Sequence, residues 1–340
     1  MPSQRNRNTG RRIAFVGLGK QGRKLADAVS ALGYEIVAGC DLDRTSLKKF
    51  SSSQPNALAT SQISDLRGVS PEVVVVGTLA AGHLPVIREL DAIGVRKIFC
   101  EKPVVGSMMD LLDLQELVVK RDLKISVNHS NLWNSDFQIV KQRVQNEPLG
   151  ALRRVAAHFK AAGFGNMGCH NLVVMLDFLE TRVSRVLSAQ FTSELAKKRA
   201  PGYDDRNGKA LFLLDKGIEL ELNNCPSVKP RTWRLEFEFE RGRIELHQAA
   251  SSFAIWNGTT GRISEIPFQR QGYGLKKSPE TAYPILDRAL SCLFEDKPEK
   301  SLALGCQAVE AIIAAQHCAV DDAPVSLPLS RDTETLFRFS

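Results

Sequence analysis

Apolar residues in the first third of the chain follow two alternating patterns. Short continuous apolar runs are typical of parallel strands buried on both faces, whereas the segments between them have the spacing of amphipathic helices. The predicted strands are Ile13–Val16, Glu35–Cys40, Val73–Gly77, Arg96–Cys100 and Lys124–Val127. The predicted helices are Arg23–Leu32, His83–Ile93 and Met108–Arg121. This alternation predicts an α/β fold with a doubly wound parallel Rossmann sheet and right-handed crossovers.

The pattern changes from about residue 150. Strands now follow one another, and Arg234–Glu240 alternates strictly between apolar and charged residues, as in a sheet with one face in water. The other predicted strands are Leu152–Lys160, Val186–Glu194, Ala210–Leu214, Ile218–Asn223 and Arg243–His247. The predicted helices are Cys169–Glu180, Tyr283–Leu293 and Leu302–Cys318. This half of the chain predicts a C-terminal α+β domain with a large, mostly antiparallel open sheet.

The length of the chain favours two domains. Its 340 residues exceed the size at which one hydrophobic core usually stops growing. We expect a disordered basic leader over residues 1–11, an NAD(P)-binding Rossmann domain over 12–127, and a substrate-binding and oligomerisation domain over 128–340. Arginines near the N-terminus carry part of the net charge of +7. No nucleic-acid recognition motif accompanies them, so a solvated tail is favoured over a nucleic-acid arm.

Two further features of the sequence concern the cellular location of the protein and the kinds of site it can contain. No run of 18 or more apolar residues occurs, so we expect no membrane span. The seven cysteines are odd in number and form no C-x-x-C pair. This pattern argues against a disulfide framework and a structural zinc site, and it favours reduced thiols in the cytoplasm. No spacing of histidines and carboxylates indicates a metal centre.

A glycine-rich loop, Gly17-Leu-Gly-Lys-Gln-Gly22, follows the first predicted strand. Gly17 would allow the tight turn, Gly19 would let a pyrophosphate approach the backbone, and Gly22 would let helix and strand pack closely. Lys20 and Gln21, between these glycines, are candidate cofactor contacts. The alternative is a βα turn that binds nothing.

The second strand ends at Asp41, nineteen residues after Gly22. A carboxylate at this spacing accepts hydrogen bonds from the adenosine ribose hydroxyls and repels a 2′-phosphate, so Asp41 favours NAD. Arg44 offers a bidentate partner to that phosphate, which leaves NADP open.

Glu101-Lys102-Pro103 lies at the carboxyl end of a predicted parallel strand, the edge where open α/β sheets bind ligands. The Lys102 ammonium could exchange a proton with a substrate hydroxyl, and Glu101 could position that ammonium or the cofactor. The alternative is an exposed salt bridge at the end of the strand.

With these motifs the sequence resembles the glucose–fructose oxidoreductase/inositol dehydrogenase (Gfo/Idh/MocA) family from about Arg12 to Leu329. The resemblance is carried by the glycine loop, the strand end at Asp41, His83 before a helix, Glu101-Lys102-Pro103, Gly168-Cys-His170, the helix containing Ala308–Ala315, and Pro324-Val-Ser-Leu327. It implies an NAD(P)-dependent oxidoreductase whose second domain lays an open sheet under the substrate.

The resemblance also implies catalytic residues. Lys102 matches the family's substrate-binding and proton-relay lysine, and His170 matches its acid/base histidine. Asn166 stands where that family usually has an aspartate, four residues before the histidine. Asn166 could orient substrate hydroxyls, or it could simply cap the helix. The alternative for His170 is a core histidine on an apolar helix face.

Five further residues are candidate ligand contacts. Thr78 and His83 belong to the segment expected to pass the nicotinamide, and both are assigned to cofactor binding with Glu101. Asn128, His129 and Trp133 are assigned to substrate binding, although Trp133 could instead pack between domains. Asn131 and Leu132 replace arginines found in many relatives, which argues mildly against a phosphorylated or carboxylated substrate.

The resulting expectation is hydride transfer between NAD and a secondary alcohol of a sugar, cyclitol or related polyol. A non-catalytic NAD-binding sensor of the same fold is one alternative, and an NAD-recycling lyase or hydrolase is another. The exposed face of the second-domain sheet, near Glu236–Glu240, leads us to expect a homodimer or homotetramer.

Overall fold

The computed structural model describes residues 8–159, 163–195, 203–224, 233–247, 252–268, 279–297 and 299–339. The chain forms two compact units. The first runs to Val105, continues over Asp110–Ser130 and takes in the C-terminal segment Ser278–Leu302. The second consists of Gly106–Met109, Asn131–Lys277 and Ala303–Ser340. The roles expected for the two domains stay predictions.

The first unit is built on a parallel sheet of six strands within the described residues, in the order β3-β2-β1-β4-β5-β6. Its strands are β1 Arg12–Val16, β2 Glu35–Cys40, β3 Leu58–Thr60, β4 Val73–Val76, β5 Lys97–Cys100 and β6 Lys124–Val127. The helices that alternate with them are α1 Lys20–Ala31, α2 Arg44–Ser53, α3 Leu66–Val69, α4 Ala80–Ala92 and α5 Met108–Arg121. The sheet confirms the predicted Rossmann fold.

The strand order reverses between β1 and β4. Strands β2 and β3 lie on one side of β1, and strands β4, β5 and β6 lie on the other. Ligands of doubly wound sheets bind at such a switch point, outside the carboxyl ends of the strands. All four residues of β4 are buried, as expected for a strand covered on both faces. The apolar pattern of the sequence does not predict β3, α2 or α3, because these elements are short or lack a strong apolar periodicity.

The first unit also includes helix α8, Pro279–Phe294, which contacts α1, β5 and β6. Tyr34 Oη and Asn8 Nδ2 donate to Asp287 Oδ1 of this helix over 2.8 and 2.9 Å. The predicted disordered leader is therefore corrected at its end, because the buried Asn8 is part of the folded unit. Residues 1–7 of that leader lie outside the described residues.

The second unit contains a sheet of nine strands within the described ranges, in the order β14-β13-β12-β11-β7-β10-β9-β8-β15. These strands are β7 Leu152–Phe159, β8 Val183–Leu195, β9 Arg206–Leu214, β10 Glu219–Asn224, β11 Trp233–Phe239, β12 Gly242–His247, β13 Ser252–Asn257, β14 Arg262–Pro267 and β15 Val325–Ser326. Only β7 and β10 pair in parallel among them. The predicted mostly antiparallel sheet is confirmed.

Three helices lie in or extend through this unit: α6 Ser135–Asn146, α7 Phe164–Leu179 and α9 Ser301–Asp321. Helix α7 contacts α6, β9 and β10, and Leu235 and Phe237 of β11 turn to the buried side of the sheet. In the described part of the chain, α9 alone is long and apolar enough to cross a membrane. Because 67% of its most apolar stretch is buried, α9 has the burial of a core helix of a folded protein.

Candidate functional site

The turn after β1 leaves no room for side chains at two of its glycines. Gly17 has a φ of +90°, and a Cβ there would lie 2.7 Å from the backbone carbon of Gly77. A Cβ on Gly22 would lie 2.0 Å from the carbonyl oxygen of Gly17. The close approach of β1, β4 and α1 therefore requires glycine at both positions.

Gly19 has the opposite environment, because a Cβ there would meet nothing within 4 Å. Gly19 is the N-cap of α1, no side chain caps the helix, and its first turn has no acidic residue. Unpaired N–H groups and a partial positive charge at such a helix end favour a phosphate group. The open space at Gly19 is thus the cradle that a pyrophosphate needs.

Asp41 is held at the end of β2 by backbone donors. Leu18 N–H donates to its Oδ2 over 2.6 Å, and Asp43 N–H donates to its Oδ1 over 2.8 Å. Carboxylate oxygens accept more than one hydrogen bond, so the fixed Asp41 side chain retains capacity for two ribose hydroxyls.

A second carboxylate, Asp43, lies beside Asp41 and was missed by sequence reasoning. Asp43 caps α2 by accepting from the N–H groups of Thr45 and Ser46. The hydrogen bond from the Ser46 hydroxyl lowers the pKa of Asp43 below its usual value, so this carboxylate is charged at neutral pH. Two negative charges at this strand end disfavour a 2′-phosphate, although Arg44 is exposed nearby.

The loop after β4 contains Thr78, whose Oγ1 is buried and has no hydrogen-bond partner among the described residues. Thr78 also packs near Gly17, because its Cγ2 would lie 2.9 Å from a Cβ added there. A buried hydroxyl without a partner is costly unless a ligand or water binds it. This hydroxyl therefore fits a polar group of a bound dinucleotide.

His83 holds this loop from within the protein. Its Nε2 lies 3.1 Å from the carbonyl oxygen of Thr78, and its Nδ1 lies 3.0 Å from that of Val104. Complete burial lowers the pKa of His83, so the ring is neutral and donates to one carbonyl at a time. The observed contacts make His83 a support of the Thr78 loop, and its direct contact with the cofactor stays a prediction.

Glu101 joins three elements of the first unit. Its Oε1 accepts from Asn128 Nδ2 over 2.7 Å and from Gln21 Nε2 over 3.4 Å. Glu101 follows β5, Asn128 follows β6, and Gln21 lies in the first turn of α1. Asn128 was predicted to bind substrate, and in the structure its amide fixes the Glu101 carboxylate. Lys102 is half-buried, and its backbone N–H lies 3.4 Å from Glu101 Oε2.

His129 is only 1% exposed. Burial, with a smaller contribution from the Lys102 charge, lowers its pKa to about 3. The imidazole is therefore neutral at physiological pH. Its predicted contact with substrate stays a prediction that its burial does not favour.

This burial makes stability depend on pH. The ordinary pKa of 6.5 applies to His129 in the unfolded chain, which therefore binds more protons than the folded state between that value and about 3. The contribution of the neutral His129 to the free energy of unfolding is complete above the ordinary pKa. It falls as the pH drops below that value, by about 2 kcal/mol between about pH 7 and pH 5. Urea unfolding at several pH values measures this effect in wild type, in His129→Asn and in the exposed control His247→Asn. The free energy of unfolding should depend less on pH only in His129→Asn. An unchanged dependence in that variant would contradict the neutral buried imidazole.

In the second unit, Asn166 and His170 lie on helix α7. Residues four apart share one helix face, so these side chains are neighbours. Asn166 is 1% exposed and His170 is half-buried. The alternative in which Asn166 caps the helix is wrong, because α7 begins at Phe164 and its N-cap is Gly163. The N–H groups of Gly165 and Asn166 donate to Asp205, whose carboxylate comes from another part of the sequence.

A search of protein-family models matches residues 11–129 to the Gfo/Idh/MocA model, described as an oxidoreductase family with an NAD-binding Rossmann fold. The matched residues include the glycine turn, Asp41 and Glu101-Lys102-Pro103. This match confirms both the resemblance drawn from the motifs and the expected class of cofactor, NAD.

Known relatives extend the likeness at lower identity. An uncharacterized oxidoreductase of Schizosaccharomyces pombe, C115.03, is 26% identical over 112 residues, which cover 33% of this chain and 30% of that protein. The chain thus matches less than a third of that curated relative.

Solved structures resemble nearly the whole chain. An Agrobacterium radiobacter oxidoreductase in complex with NAD+, L-tartaric acid and magnesium has a TM-score of 0.77 and 15% identity, covering 94% of this chain and 98% of that one. The WlbA dehydrogenase of Bordetella pertussis, with NADH and UDP-GlcNAcA, has a TM-score of 0.75 and 20% identity, covering 94% and 99%. The scyllo-inositol dehydrogenase of Lactobacillus casei, with NAD(H) and scyllo-inositol, has a TM-score of 0.72 and 15% identity, covering 93% and 98%. The TM-scores show a shared fold, and at these low identities the likeness shows the fold alone.

Within the residues that the family model matches, the predicted cofactor residues converge on the switch point of the sheet. Gly17, Gly19 and Gly22 form the turn, Lys20 and Gln21 are exposed on the first turn of α1, and Asp41 lies at the end of the neighbouring strand. Trp133 belongs to the second unit, in a short 3-10 helix, and is half-buried. Both interpretations of Trp133 stay open. The described residues contain no cluster of metal-ligating side chains.

Proposed function

We propose that this protein is an NAD-dependent oxidoreductase that acts on a secondary alcohol or the corresponding carbonyl of a sugar, cyclitol or related polyol. The observation that carries the proposal is the open cradle at Gly19, between an uncapped helix end and the fixed Asp41 carboxylate. The family of residues 11–129 supports the cofactor. Fold neighbours solved with scyllo-inositol and with a UDP-sugar acid support the class of substrate.

The proposed cofactor is NAD, with NADP as the weaker alternative. Asp41 would hold the ribose hydroxyls, Gly19 and the start of α1 would hold the pyrophosphate, and Thr78 would donate its hydroxyl to the bound dinucleotide. Bound NAD supplies a carbon that accepts or donates the hydride. The protein has to hold the cofactor, orient the hydroxyl and move the proton.

Two residues are proposed for the proton, each argued from its own unit. Lys102 lies at the ligand-binding edge of the Rossmann sheet, and its positive charge acts on the buried His129. His170 lies on the helix that presents Asn166 one turn earlier. An imidazole suits proton transfer in either direction near neutral pH. We propose that Asn166 orients substrate hydroxyls without itself carrying a charge.

A turnover screen tests this function. Purified protein with NAD is mixed with scyllo-inositol, myo-inositol, L-tartrate or UDP-sugar acids, and reduced nicotinamide is followed by absorbance. We expect reduction of NAD with a polyol and a much slower reduction in Lys102→Ala. Dinucleotide binding without turnover on any sugar or polyol would favour the sensor. Product formed while the cofactor ends unchanged would favour the lyase or hydrolase.

Self-association and compartment stay predictions. The outward face of the second-unit sheet contains ion pairs between neighbouring strands, such as Arg154 with Glu221 and Arg154 with Glu238. We propose a homodimer or homotetramer through this sheet and a cytoplasmic setting. Light scattering of the full chain measures the mass of the assembly.

A further inference from the structure

The first turn of helix α7 is bound by a carboxylate from a distant part of the chain. Gly165 N–H donates to Asp205 Oδ1 and Asn166 N–H donates to Asp205 Oδ2, each over 2.9 Å. The helix has no acidic residue in its own first turn, and its N-cap, Gly163, has no side chain that could cap it. Asp205 therefore supplies the negative charge that the positive end of this helix favours.

Two glycines leave the space in which this contact forms. Gly163 has a φ of +94°, and a Cβ there would lie 1.9 Å from Asp205 Oδ2. A Cβ on Gly165 would lie 2.5 Å from the ring of the buried Phe339. Side chains at either position would displace the carboxylate or the aromatic ring. Glycine at these two positions therefore lets Asp205 and Phe339 pack directly against the start of α7.

The segment that contains Asp205 is bound to the C-terminal part of the chain. The backbone N–H of the preceding residue, Asp204, donates to the carbonyl oxygen of Arg338 over 3.0 Å, and Asp204 Oδ1 accepts from Arg338 N–H. The segment that carries Asp205 is therefore anchored to the residues next to Phe339. This anchoring fixes the carboxylate relative to α7.

Side chains on a helix lean toward its N-terminus. Asn166 carries one of the two N–H groups that donate to Asp205, and His170 lies one turn further along, so both side chains lean toward the end that Asp205 holds. We propose that Asp205 is a positioning residue, which fixes the start of α7 and thereby the placement of Asn166 and His170. This inference rests on the proposed function, because it assumes that these two residues meet the substrate.

The test compares Asp205→Asn with Asp204→Asn. The amide at position 205 has the same shape, but it loses the charge and can accept only one of the two N–H groups through its oxygen. We expect kcat to fall roughly tenfold or more, as for a small displacement of catalytic groups, while the Kd for NADH stays unchanged. Asp204→Asn is the matched control, because its amide oxygen can still accept from Arg338 N–H and keep the segment anchored, so that only a neighbouring charge is lost.

A conservative variant separates positioning from general destabilisation. Asp205→Glu keeps the negative charge and both acceptor oxygens, so it should retain more kcat than Asp205→Asn does. A loss caused only by weaker folding would follow the melting temperature of each variant instead.

Hydrogen exchange gives a readout that needs no turnover. Loss of charge-assisted hydrogen bonds should speed exchange in the peptide containing Gly165 and Asn166 by roughly ten- to hundredfold in Asp205→Asn, and not in Asp204→Asn. If the wild type shows no turnover, the proposed function fails and exchange alone decides whether Asp205 fixes the helix. Wild-type exchange in Asp205→Asn would overturn the inference, as would unchanged kcat in an active enzyme.

Discussion

Replacing Lys102 with alanine should lower kcat by about 10²–10⁴-fold, the usual contribution of a positioned acid or base. The residue lies at the carboxyl end of β5, its half-buried ammonium acts on His129, and Glu101 lies beside its backbone. The variant should bind NADH within a few-fold of wild type, because the proposed pyrophosphate and ribose contacts lie on other strands. Stopped-flow or steady-state turnover with the polyol found by the screen measures the loss.

Lys97→Ala is the matched control for that variant. Lys97 lies at the amino end of the same strand and pairs with Asp296 at the surface. Lys97 is half-buried and Asp296 is exposed, and loss of a solvated ion pair of this kind costs about 0–1 kcal/mol of stability, so turnover should stay at the wild-type level. Wild-type turnover in Lys102→Ala would remove the lysine from the proposed chemistry.

His170→Ala should cause a loss of the same order for the same reason, with NADH affinity again preserved. The control is His247→Ala, which removes an exposed histidine of β12 that pairs with Glu245. If His170→Ala retains turnover but loses stability, the side chain is a core histidine, as the apolar face of α7 allows.

The second large effect concerns the glycine turn, where two substitutions should behave differently. Gly22→Ala places a methyl group against the Gly17 carbonyl, so it should lower stability by about 1–3 kcal/mol and abolish dinucleotide binding. Gly19→Ala meets nothing in the protein and should keep the melting temperature. Its methyl group enters the proposed pyrophosphate space, however, and should weaken NADH binding by roughly tenfold or more.

Thermal unfolding and NADH fluorescence titration measure both properties. Gly68→Ala serves as the control, because a Cβ there also meets nothing within 4 Å and the residue lies in α3, outside the turn. Unchanged NADH binding in Gly19→Ala would show that nothing approaches the backbone at this glycine.

The fold was predictable where local pattern and tertiary structure agree. The run Val73–Val76 is apolar throughout because both faces of the strand are covered, and Trp233–Phe239 alternates because only one face is buried. Strands β13 and β14 were missed. Strand β14 lies at the edge of the sheet with most of its residues exposed, so its sequence lacks a clear alternation.

The site was predictable only in part. The glycine turn and Asp41 are local motifs, since their spacing along the chain fixes their geometry. Asp205 binds residues 39 and 40 positions earlier in the sequence, and no local pattern marks such a contact. The burial of His129 and the bond from Asn128 to Glu101 likewise depend on tertiary packing. Asp43 differs from these residues, because a local signal could have indicated it: an aspartate directly before a helix is a typical N-cap.

The most direct test of the central claim is a fluorescence titration of the purified chain with NADH and NADPH, repeated with Asp41→Ala. We expect NADH to bind more tightly than NADPH, and Asp41→Ala to weaken NADH binding and to reduce the difference between the two affinities. This result would place the ribose hydroxyls at Asp41 and justify the search for the polyol. Failure of the wild type to bind either nucleotide would contradict the account and leave a shared fold without the proposed chemistry.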